Sequence, residues 1–291
     1  VENIVGTSFD DTLVANSGNR LDGGAGSDWL IGGAGSNTLL GGTGNDNFGS
    51  GAGADSIDGG DGIDAVHFTG DTTGVTVNLT SGTGIGGRAQ GDTYANIEQV
   101  WGSEAADLIT GGSIGEAING NAGNDIIEGR GGADTLNGGA GTDTLSYAAS
   151  ATGVTVSIVD NATASGGEAA GDVIVGFENL TGGSGSDMLT GNSGANAVAG
   201  GDGNDTVEGG AGADTLDGGN GTDTLSYASS AAAVYVNLAT GAVAGGDAAL
   251  DVISNFDNVT GSTANDTLFG SSGANVLTGG AGNDWLISGD G

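Results

Sequence analysis

The residues best placed for chemistry are aspartates that recur every nine positions beside paired glycines. In Gly200–Ser226 three such units follow without a gap: GGDGNDTVE, GGAGADTLD and GGNGTDTLS. Each has Gly at positions 1, 2 and 4, Asp at position 6 (Asp205, Asp214, Asp223) and an aliphatic residue at position 8 (Val207, Leu216, Leu225). Six residues rich in Gly and Asp favour a turn, because Gly accepts positive φ and Asp bonds its own backbone. The next three suffice for a very short strand with one side chain facing inward. Two nonamers then close one flat coil of 18 residues, and successive coils stack as parallel strands. A turn whose carbonyls and carboxylates repeat directly above themselves is an oxygen cage, a donor set suited to Ca²⁺.

Alternate nonamers share a side, so acids 18 residues apart are predicted to share a cation. Asp28 then stacks on Asp46 and Asp46 on Asp64, with Asp11 joining Asp28 across a unit one residue short. The same rule groups Asp107, Asp125 and Asp143; Asp187, Asp205 and Asp223; and Asp266 with Asp284. On the opposite side Asn37 faces Asp55, Glu116 faces Asp134 and Asn196 faces Asp214. Affinity in oxygen cages follows charge count, so one full-affinity column and one weaker column are expected. The predicted metal ligands are therefore the aspartates of both columns, Asp55, Asp134 and Asp214 included.

These units fall in four blocks, 6–66, 102–146, 182–226 and 261–287, separated by inserts at 67–101, 147–181 and 227–260. Block and insert together repeat about every 80 residues: Asp143 to Asp223 and Glu98 to Glu178 are each 80 apart. Position 8 supplies a narrow core, read as Leu13, Leu21, Leu30, Leu39, Phe48, Ile57 and Val66 in the first block and Leu108, Ile118, Ile127, Leu136 and Leu145 in the second. Each insert opens with an alternating strand, as in 74–79, 153–158 and 233–238, and closes on Asp92, Asp172 or Asp251 followed by an apolar-acidic signature such as Ile97-Glu98. Insert length is close to two coils, which predicts wider coils continuing one roll over 1–291; a protruding β-hairpin is the alternative.

The pattern GGxGxDxUx, found about twenty times, resembles the RTX (hemolysin-type calcium-binding) nonapeptide repeat. That resemblance implies an all-β fold, a parallel β-roll solenoid holding multiple Ca²⁺ between turns. It also implies a protein secreted by a Gram-negative bacterium through a one-step (type I) channel. The segment itself reads as a calcium-dependent structural part of a cell-surface protein: an S-layer subunit, adhesin or extracellular filament. The other readings are a non-catalytic carrier of an exported enzyme or toxin, and an ice-binding solenoid presenting the threonines of position 7.

Composition narrows the partners. The 291 residues include 66 Gly, no Pro or Cys, three Arg and no Lys, and the net charge is −34. Such a chain repels itself until cations intervene. It has no basic stripe for nucleic acid and no apolar run of membrane length. Calcium ions and self-association into a lattice or filament are the expected contacts. No catalytic constellation is expected around the single histidine, His67, which is placed at a coil edge, and Trp29 and Trp285 are read as exposed aromatics.

Overall fold

The computed structural model describes residues 2–291, and the chain divides into two compact units between Asp143 and Thr144. The described chain is all-β, a parallel β-roll of short strands; its only helical turns are three 3₁₀ turns at Gly87–Ala89, Gly167–Ala169 and Gly246–Ala248.

In the first unit two sheets face one another. One contains Asn3–Val5, Arg20–Ala25, Thr38–Thr43 and Ser56–Asp61, and the other Thr12–Val14, Trp29–Ile31, Asn47–Gly49 and Ala65–His67. Neighbours are parallel and in register, with Leu21 on Leu39 on Ile57 in the first sheet and Leu30 on Phe48 on Val66 in the second. These position-8 side chains are fully buried, so the core is one side chain deep from each face. Each buried aliphatic contributes about 1.5–3 kcal/mol. The second block departs from expectation at one point: Leu108 is exposed and Ile109 is buried. In a strand the second residue after the acid turns inward, and after Asp107 that residue is Ile109.

Each insert both stacks and detours. In the first, Thr93–Ala95 pairs parallel with Ser56–Asp61, and Gln99–Trp101 pairs parallel with Ala65–His67 and Ala117–Asn119. Between them Thr83–Ile85 runs antiparallel to both Thr93–Ala95 and Thr76–Asn78, and Thr76–Asn78 then pairs parallel with Leu108–Thr110. The hairpin is laid into the sheet. One sheet gains three strands and the other gains one, so the next block begins on the sheet that carried Asp55. The columns consequently change sides: Asp64 is followed by Glu98 and then Glu116, while Asp55 is followed by Asp92 and, beyond the hairpin, Asp107. A single full column beside a single weak one is thus corrected to two columns that exchange roles at the insert.

The second unit repeats these parts. Thr155–Ser157, Met188–Thr190, Thr206–Glu208, Thr224–Ser226, Asn258–Thr260 and Leu277–Thr278 stack in one sheet. Asn179–Thr181, Ala197–Ala199, Thr215–Asp217 and Val252–Ser254 stack in the facing sheet. Tyr235–Asn237 forms the antiparallel detour with Ala242–Ala244 and hands over to Thr267–Phe269.

Candidate metal centre

The acids of position 6 form ladders. The Asp28 N–H donates to Asp46 Oδ1 at 2.7 Å, and the Asp46 N–H donates to Asp64 Oδ1 at 2.7 Å. The same bond joins Asp11 to Asp28, Asp107 to Asp125, Asp125 to Asp143, Asp187 to Asp205, Asp205 to Asp223 and Asp266 to Asp284. On the other side it joins Asn37 to Asp55, Glu116 to Asp134 and Asn196 to Asp214. All of these aspartates are buried except Asp11 and Asp284, which are half-buried.

The second carboxylate oxygen separates the acids into kinds that the sequence does not distinguish. In the first acid of a block it is held by the acid's own turn: Oδ2 of Asp107, Asp187 and Asp266 accepts the N–H of Ser103, Gly183 and Ser262, and that of Asp11 accepts the N–H of Thr7. In the acids that follow, Oδ2 of Asp28, Asp46, Asp55, Asp64, Asp125, Asp205, Asp214 and Asp223, with Oε2 of Glu116, is buried with no hydrogen-bond partner. A buried carboxylate oxygen without a partner is costly, and a cation relieves the cost.

The glycines show what surrounds these oxygens. A Cβ at Gly41 would collide with Asp46 Oδ2 and with the carbonyl oxygen of Gly59. At Gly23 the obstacles are Asp28 Oδ2 and the Gly41 carbonyl, at Gly120 Asp125 Oδ2 and the Gly138 carbonyl, and at Gly200 Asp205 Oδ2 and the Gly218 carbonyl. Each of these four steps therefore brings a carboxylate oxygen and a carbonyl from the next coil to one face of a bare glycine, and at Gly129 and Gly209 the carboxylate oxygens of Asp134 and Asp214 do so alone. Among the described residues no three carboxylate, imidazole or thiol groups gather at one point, so a bound cation must draw on main-chain carbonyls as well. Hard oxygen donors in a flexible turn fit Ca²⁺.

The electrostatics agree with this. Burial, reinforced by the neighbouring acids of the ladder, pushes Asp125 up to about 7 and Asp64 and Asp205 up to about 6. For Asp125 the neighbours are Asp107 and Asp143, and for Asp205 they are Asp187 and Asp223. Burial and the charge of Asp134 likewise raise Glu116.

Three features lay beyond the sequence reading. Asp92 and Asp251 take the place of a position-6 acid, their Oδ1 accepting the N–H of Asp55 and Asp214. Glu98 and Asp257 do the same for Asp64 and Asp223. A second ladder runs in the opposite sense at position 5, where the Asn45 side chain accepts the Ile63 N–H and the Asn204 side chain accepts the Thr222 N–H. Part of its signal is in the sequence: Asp10, Ser27, Asn45, Asn124, Thr142, Ser186, Asn204 and Thr222 hold position 5 in alternate units, and Ala54, Ala133, Ala195 and Ala213 hold it in intervening ones, with Ile63, Ala106 and Ser36 as exceptions. His67 is half-buried between the Trp29 and Trp101 rings, with centroids at 5.1 and 5.9 Å, and its Nε2 is 2.9 Å from Asn47 Oδ1.

Comparison with known proteins yields one family. The sequence model of the RTX calcium-binding nonapeptide repeat matches residues 2–19, 18–48, 32–66, 110–145, 174–207, 190–225 and 260–291, more than half of the chain. The unmatched stretches fall largely on the inserts. No curated protein matches the chain.

Proposed function

The chain belongs to the RTX calcium-binding nonapeptide repeat family, and from that premise we propose that it is a calcium-switched structural segment of a secreted cell-surface protein. Its chemistry is cation binding, and its product is a folded scaffold. The ligands are the position-6 acids: Asp28, Asp46, Asp55, Asp64, Asp125, Asp134, Asp143, Asp205, Asp214 and Asp223 within the ladders, with Asp11, Asp107, Asp187, Asp266 and Asp284 at the ends of blocks.

One observation carries this reading: buried carboxylate oxygens without partners, repeated coil after coil beside bare glycines. A chain of net charge −34 that buries such groups gains its stability from the bound ion, so binding free energy becomes folding free energy. Extracellular calcium modules bind with Kd of about 10⁻⁴–10⁻³ M. At that affinity the chain stays unfolded where calcium is scarce and folds outside the cell, which suits a polypeptide exported as a thread by a Gram-negative type I channel. Regular repeats over most of the sequence suit an S-layer, adhesin or filament that builds by self-association.

Circular dichroism and calorimetric titration test the calcium switch: coil in EGTA, and β structure with several ions bound in millimolar Ca²⁺. An identical β spectrum in EGTA would remove the proposal's basis. Antibody labelling of intact producing cells tests the location, and label confined to the cytoplasm would overturn it.

A further inference from the structure

We propose that a tyrosine hydroxyl closes one acid ladder at each insert without a metal ion, so that Asp92, Asp172 and Asp251 are ion-free ends and not calcium ligands. The inference rests on the calcium reading above. Oδ2 of Asp172 accepts the Tyr147 hydroxyl at 2.8 Å, and Oδ2 of Asp251 accepts the Tyr227 hydroxyl at 2.9 Å. The corresponding oxygen of Asp92 accepts the Tyr94 hydroxyl at 3.3 Å. The oxygen left without a partner inside the ladders is thus satisfied by protein at the inserts.

The glycine cradle is missing there too. Five residues before Asp92 the chain enters the Gly87–Ala89 3₁₀ turn, and a Cβ at Gly87 would meet Asp71, Thr73 and Val75, not Asp92. The Asp92 N–H donates to the Ala89 carbonyl of that turn, as the Asp172 N–H does to Ala169, so neither passes the ladder on. Burial beside the acids pushes the phenols of Tyr94 and Tyr227 up, which keeps the donated proton in place.

The first insert reaches this contact by another route. Its residue aligned with Tyr147 and Tyr227 is Phe68, and the phenol comes from Tyr94, where the others have Ile174 and Ile253. Tyr94 fits because residue 84 is Gly: a Cβ there would lie 2.5 Å from the Tyr94 hydroxyl and 3.0 Å from the ring. At the aligned position the other inserts carry Ala164 and Val243. Three positions differ together, and the hydroxyl–carboxylate contact is what they preserve. A ring chosen only to fill space would not require it.

The full chain in saturating calcium tests this. Y227F is expected to lower Tm by roughly 5 °C, the loss of one hydrogen bond to a buried charge. Y227F/V243G/I253Y, which copies the first insert, is expected to restore it. Calorimetry should count as many calcium ions in D251N as in the parent, while D223N binds fewer. Failure of the triple variant to recover, or loss of calcium in D251N equal to that in D223N, would overturn the inference. Should Y227F not fold, the triple variant decides alone: a folded protein with the parent's calcium count supports the inference, and an unfolded one refutes it. A parent chain that binds no calcium would instead refute the calcium reading itself.

Discussion

Asp205 and Asp214 are nine residues apart and equally buried, yet they differ in what lies one coil to either side. Asp205 stands between Asp187 and Asp223, so its carboxylate serves two acidic steps. Asp214 stands between Asn196 and Asp251, and Tyr227 already satisfies the second of these. D205A is expected to lose two bound calcium ions and D214A no more than one, as counted by equilibrium dialysis. The melting temperature of D205A in calcium should fall further as well. Equal losses in the two variants would show that charge count per step does not set occupancy. Position 5 adds to the contrast: the Asp205 turn has Asn204 bonded into its own ladder, and the Asp214 turn has Ala213.

At the scale of the turn and its strand, the repeated glycines are obligatory in some places and incidental in others. Gly41 has no room for a side chain, because the Gly59 carbonyl and the Asp46 carboxylate occupy the space. Gly49 lies in a strand with nothing within 4 Å of a built Cβ. G41A should therefore cost about 2 kcal/mol or more and weaken calcium binding, while G49A should stay within about 0.5 kcal/mol of the parent. Denaturation midpoints in saturating calcium check both, and a neutral G41A would mean that the cradle is not needed. Much of this element was legible in the sequence, because one unit fixes both the turn (Gly41, Asp46) and the inward residue (Phe48) by local chemistry. The inserts were not legible. Whether Thr83–Ile85 lies in the sheet or protrudes depends on its antiparallel pairing with both Thr76–Asn78 and Thr93–Ala95 and on the parity of strands added to each sheet, neither of which a nine-residue pattern encodes. The tyrosine contacts were hidden for a related reason: Tyr147 and Asp172 are 25 residues apart, and the first insert supplies its phenol from a different strand.

Across the whole molecule, the ladders make folding depend on protons as well as on calcium, with opposite consequences. Burial and neighbouring charge raise Asp125 to about 7 and Asp64, Asp205 and Asp214 to about 6, above the ordinary carboxylate range in the unfolded chain. The folded state without metal then binds more protons than the unfolded state. Its stability is highest below about pH 4, where these carboxyls are protonated in both states, and is lost as pH rises through 6 to 7. In chelator, β structure measured by circular dichroism should thus be greater at pH 5.0 than at pH 7.5. With calcium the order inverts, because proton and metal compete for the same oxygens. The calcium concentration at the folding midpoint should rise as pH falls from 7 to 5. The two trends must occur together if one set of buried carboxylates is responsible for both. A calcium midpoint that does not move over this range would place the binding oxygens outside the ladders, whatever the chain does in chelator.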